Sequence, residues 1–96
     1  MSDPSWASTD EARRIQQVVK HRKFPPGVHA TGFDLTFGED QTGRPAVWIL
    51  LPVDKKYENP SPKWITEVTD FVNRLRGDLL NENLEHWPYI DLKPPS

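Results

Sequence analysis

The chain has 96 residues, with 12 lysines and arginines against 14 aspartates and glutamates. That is the length of one domain, and its formal charge of −2 excludes a whole-surface attraction to nucleic acid or anionic lipid. With no cysteine there is neither a disulfide framework nor thiolate chemistry, which fits a reducing compartment and a cytoplasmic protein.

The N-terminal stretch carries Asp3, Asp10 and Glu11 ahead of the first basic residue, Arg13, unlike a secretory signal, and residues 1–7 read as a flexible segment. Ser8-Thr9-Asp10-Glu11 has the pattern of a capping box, in which a hydroxyl and a carboxylate satisfy each other's backbone amides. It predicts a helix over 9–22 with Ala12, Ile15, Val18 and Val19 on its apolar stripe. Phe33, Leu35 and Phe37 alternate with Asp34 and Thr36, the period of a half-buried strand. After the turn residues 38–43, Ala46-Val47-Trp48-Ile49-Leu50-Leu51 is continuously apolar and predicts a more enclosed strand, antiparallel to the first across a short connection.

Residues 52–60 read as a polar connector, and Ser61 as the cap of a helix with Pro62 in its first turn, where a missing amide hydrogen costs little. That helix, about 62–81, carries a stripe of Ile65, Val68, Val72, Leu75 and Leu79, widened by Trp64, Phe71 and Leu80. Gly77 late within it predicts a kink or a close backbone contact. Trp87-Pro88-Tyr89-Ile90-Asp91-Leu92 alternates once more, and Pro88, which cannot donate to a ladder, places this last strand at a sheet edge. Residues 93–96 read as a flexible tail. No apolar run approaches the roughly 20 residues that span a bilayer, so no membrane partner is expected.

The elements assemble into a single α+β domain: a two-layer sandwich of order α-β-β-α-β, with a small mixed sheet and two helices on one face. A crossover through the second helix makes the last strand parallel to the second. In element order, residues 9–92 are similar to the small KH-like folds, including the ribosome-binding factor A type. The resemblance implies an RNA-binding or ribosome-associated role. The Gly-x-x-Gly loop of KH domains is absent, so no binding residues are carried over.

Chemistry-bearing patterns are sparse. His21, His29 and His86 lack the paired spacing of a zinc site, and no cofactor motif is present. Asp34, Asp40 and Asp54 lie on separate turns and strands, unlike the converging carboxylates of a metal-dependent hydrolase, and Arg76-Gly77-Asp78 sits inside a predicted helix. What stands out is aromatic: four tryptophans, at positions 6, 48, 64 and 87, in so short a chain. Trp87 and Tyr89 share one face of the last strand, and beside His86 and Trp48 they form the candidate partner-binding set, since aromatic side chains dominate the energetics of protein interfaces. Arg13, Arg14, Lys20, Arg22 and Lys23 form a basic cluster on the first helix that suits phosphate contacts, the alternative set for nucleic acid. The expectation is a non-catalytic protein-interaction module, an accessory or regulatory subunit with a protein partner, and RNA binding as the alternative. The last edge strand also offers a route to homodimerisation.

Overall fold

The computed structural model describes residues 4–57 and 59–93, the side chains of 4–9 excepted. Along it run α1 (Pro4–Lys20), β1 (Asp34–Glu39), β2 (Pro45–Pro52), a short 3-10 turn (Lys55–Tyr57), α2 (Pro62–Leu80) and β3 (Trp87–Lys93). The order and the two-layer α+β architecture are those predicted.

The three strands lie in the order β1-β2-β3, with β2 central. β1 and β2 form an antiparallel hairpin whose register sets Leu35 opposite Ile49 and Thr36 opposite Trp48. β3 returns parallel to β2, Trp48 beside Tyr89 and Ile49 beside Ile90, as a connection through a helix requires. Val47, Ile49 and Leu51 of β2 point to the helices and are fully buried, packed with Ile15 and Val19 of α1 and Val68, Leu75 and Leu79 of α2. Phe33, Leu35 and Phe37 from one edge and Pro88, Ile90 and Leu92 from the other complete this inner face.

α2 begins as the sequence implies. Ser61 has extended backbone angles, its hydroxyl oxygen accepts from the amide of Trp64 at 3.2 Å, and Pro62 opens the first turn. At the other end the Asn81 amide donates back to the Gly77 carbonyl, and Asn83 takes a left-handed φ of 55° that turns the chain toward β3.

Several expectations need correction. α1 starts at Pro4 rather than at residue 9 and ends at Lys20, so residues 4–7 are helical; residues 1–3 and 94–96 of the expected flexible ends lie outside the described residues. The capping box is therefore not a helix start: Glu11 sits inside α1, turned into the structure. In α2 the buried stripe is Trp64, Val68, Phe71, Leu75 and Leu79, while Ile65 and Leu80 are 48% and 41% exposed. Gly77 causes no break, since α2 runs unbroken past it and a Cβ there would meet nothing within 4 Å.

The connector after β2 is more ordered than its polarity suggests. Val53 bridges Val28, and the Asp54 amide donates to the Gly27 carbonyl at 2.8 Å. Tyr57 stacks on Trp64 with ring centroids 4.7 Å apart, and the Trp64 indole N–H donates to the Pro26 carbonyl at 2.6 Å. The Pro25-Pro26-Gly27 turn is thereby fastened to the start of α2.

Candidate functional site

Because both helices pack on one face, the pleat fixes which side chains are left on the other. Three cross-strand rows occupy it: Gly38, Ala46 and Trp87; Thr36, Trp48 and Tyr89; Asp34, Leu50 and Asp91. Trp48 and Tyr89 stack nearly parallel, centroids 5.7 Å apart at 15°. Gly38 lies beside the edge of the indole, where a Cβ would fall at an ordinary contact distance of 3.5 Å from Trp48 Cζ3. Trp87 continues the aromatic surface, with the Arg44 guanidinium 5.5 Å from its ring centroid. Trp87 and Tyr89 stay 37% and 36% exposed, a large apolar area on a face no helix covers.

The platform is anchored by a charge. Asp40, in the β1–β2 turn, accepts from the Thr42 hydroxyl at 2.6 Å, from the Thr42 and Arg44 amides at 2.9 and 3.1 Å, and from the Tyr89 hydroxyl at 3.0 Å. The Thr42 hydroxyl above all, with the Arg44 and Thr42 amides and the Tyr89 hydroxyl, outweighs the opposing effect of desolvation and holds the Asp40 carboxyl down to about 2. The same bond works the other way on its donor: losing a proton beside the Asp40 carboxylate is unfavourable, so Tyr89 titrates above the ordinary tyrosine range. One hydrogen bond thus ties the hairpin turn to β3 and fixes the orientation of the Tyr89 ring. At the far end of the face, the Lys93 ammonium pairs with Asp34 at 2.8 Å.

His86 does not join this face. Its Nδ1 lies 2.5 Å from Glu11 Oε1, and its ring meets Phe37 edge-on at 4.9 Å, on the helix side of the sheet. Glu11, only 5% exposed, also accepts the backbone N–H groups of Glu85 and His86, and the Arg14 guanidinium donates to the Glu82 carbonyl. α1 therefore clasps the loop that leads into β3. Glu11, Glu85 and His86 bring donor atoms within 4.8 Å of one another, which among the described residues makes them the group best placed to hold a cation. Both Glu11 oxygens, however, already accept hydrogen bonds, so the group acts as the clasp of this loop.

The basic set is divided. Arg14 is committed to the Glu82 carbonyl, and Arg22 forms an ion pair with Asp78 at 2.8 Å. Arg13, Lys20 and Lys23 are exposed and, among the described residues, form no salt bridge. They belong to the helix layer and its exit, on the opposite side of the domain from the aromatic face.

The three dispersed aspartates each have a local role: Asp34 pairs with Lys93, Asp40 orders its turn, and Asp54 lies 2.5 Å from His29 Nε2.

No protein-family model, curated protein or solved structure matches the chain. Its functional reading therefore rests on its own geometry. Of the aromatic set read from the sequence, Trp48, Trp87 and Tyr89 converge and His86 does not. The sequence reading missed Arg44, Asp40 and Leu50 as members of the face. Only the register of the hairpin, which brings Thr36 to Trp48 and Gly38 to Ala46, could have found them. Among the described residues, no helix is long and apolar enough to cross a membrane.

Proposed function

We propose that the protein is a non-catalytic interaction module, an accessory or regulatory subunit that docks another protein on its uncovered sheet face. The observation that carries this reading is the stacked Trp48–Tyr89 pair continued by Trp87 under Arg44, exposed on a face that both helices leave open. Rigid aromatic rings offer a partner large contact area at little entropic cost, and an arginine beside them supplies a polar anchor. The charges of the face favour protein over nucleic acid: Asp34, Asp40 and Asp91 stand against Arg44 and Lys93, a net negative surface around the rings.

The test is Trp87→Ala. The chain still unfolds cooperatively, with a lowered melting temperature, and loses its protein partner in affinity capture. Undiminished capture by the folded variant would remove this face from the interface.

A second reading, RNA binding in the manner the KH-like resemblance implies, is supported by the exposed Arg13, Lys20 and Lys23. With Arg14 and Arg22 engaged inside the molecule, three phosphate contacts give a slope of roughly −2 to −3 in log affinity against log salt. Measuring RNA affinity across a salt series tests that figure, and a flat response excludes the reading.

A further inference from the structure

We propose that the protein forms a twofold-symmetric homodimer in which β3 pairs antiparallel with β3 of a second copy, centred on Ile90. Three independent features of one side of the molecule lead there.

The first is the state of the edge. Among the described residues, β3 pairs with β2 on one side and with no strand on the other. The Leu92 amide donates to its own Asp91 carboxylate at 2.9 Å, so it points away from β2. Strand alternation then turns the Ile90 amide and the Pro88 nitrogen to the same open side. Pro88 therefore deprives the β2 ladder of nothing, and the edge keeps a donor at Ile90, while the Leu92 amide exchanges its Asp91 acceptor for the incoming strand.

The second is self-complementarity. With Ile90 opposite the partner's Ile90, Pro88 meets the partner's Leu92 on the core side. On the outer side Tyr89 meets the partner's Asp91, and Trp87 meets the partner's Lys93. Apolar residues face apolar ones, and each charge directly opposes an aromatic ring, the lysine being suited to a cation–π contact.

The third is the location of the uncovered apolar side chains. Ile65, Leu80, Trp87 and Tyr89 are the exposed large hydrophobic residues among those described, and all belong to α2 or β3. α2 packs on both α1 and β3. Asp78 marks the flank turned to α1 through its pair with Arg22, while Ile65, half-buried Val72 and Leu80 lie on the side of the helix away from Asp78, Leu80 lining a surface cleft with Trp87 and Pro88 of β3. A short strand pairing alone buries less than the roughly 1,200–2,000 Å² of a stable interface. The two α2 flanks, brought together over the joined edges, supply the remainder. The product is a six-stranded sheet with β1 at both ends, whose outer aromatic face remains open to a partner.

Sedimentation velocity on the full chain at micromolar concentration tests the proposal. The mass expected is twice 11.1 kDa, falling to a single copy in the double variant Ile65→Glu, Leu80→Glu, whose positions are exposed in the monomer. The chain has no cysteine, so single-cysteine variants report the register. Ile90→Cys is expected to oxidise to a covalent dimer, because directly paired strand residues lie within disulfide reach, while Thr36→Cys on β1 stays monomeric in non-reducing gels. A wild-type mass of one copy, a dimer that survives the double variant, or a dimer that Ile90→Cys does not lock would each overturn the proposal.

Discussion

Gly27 carries more of the fold than any other glycine, and Gly27→Ala tests how the Pro25-Pro26-Gly27 turn is held. Its φ of +86° lies in the left-handed region, and a Cβ built there falls 2.3 Å from both Cδ2 and Cε2 of Tyr57. The backbone conformation costs an L side chain about 1–2 kcal/mol. The ring cannot stay where it is, and displacing it gives up the stack on Trp64, an aromatic pair of about 0.5–1.5 kcal/mol. Alanine recovers about 0.4–1 kcal/mol by restricting the unfolded chain. The net destabilisation is about 2 kcal/mol, which lowers the melting temperature of a domain this size by roughly 8–16 °C. Thermal unfolding followed by tryptophan fluorescence measures it. In a Tyr57→Ala background the same substitution should cost only the backbone part, because the ring it strikes is gone. If Gly27→Ala melts at or above the wild-type temperature, or costs the same with and without the Tyr57 ring, the reasoning fails.

Gly77→Ala should do the opposite: it sits in an unbroken helix with open space around it, so the variant is expected to be stabilised by about 0.5–1 kcal/mol in urea denaturation. Glu11→Ala leaves the Glu85 and His86 amides and the His86 imidazole without their acceptor in a buried setting, and should cost about 2–4 kcal/mol in the same assay. Asp40 predicts an acid dependence. Its folded carboxyl is held down to about 2 from the ordinary 3.8, so its contribution is complete above the ordinary value and is lost as pH falls through about 2. The stability gap between wild type and Asp40→Asn should therefore be widest near neutral pH and should close near pH 2. The same variant should bring the Tyr89 titration down toward the usual tyrosine range in an ultraviolet absorbance titration.

The elements that follow from local periodicity are legible in the sequence: the hairpin from alternation at Phe33, Leu35 and Phe37, and α2 from Ser61-Pro62 and its apolar repeat. What escaped it depends on distant partners. Ser8 to Glu11 has every local mark of a helix start, but the groups Glu11 satisfies lie 74 and 75 residues further on. Ile65 and Trp64 are adjacent apolar residues, and which one is buried follows from where the sheet lies, a tertiary fact. His86 neighbours Trp87 in the chain yet is drawn to the helix side by Glu11. Strand alternation put Trp87 and Tyr89 on one face, but choosing the open face required knowing that α1 and α2 share the other. The anchoring of Tyr89 by Asp40 spans 49 residues and leaves no local signature.

The central claim, that the uncovered aromatic face docks a protein, is tested most directly by affinity capture from the native cell at physiological salt, with and without nuclease, using three forms of the chain. Alongside wild type stand Thr36→Arg, which places a bulky cation beside Trp48 without disturbing the core, and the triple variant Arg13→Glu, Lys20→Glu, Lys23→Glu on the opposite side. The account expects protein partners that survive nuclease, are retained by the triple variant and are lost with Thr36→Arg. Partners that vanish with nuclease and with the triple variant, yet persist or strengthen with Thr36→Arg, would contradict it and assign binding to the basic helix.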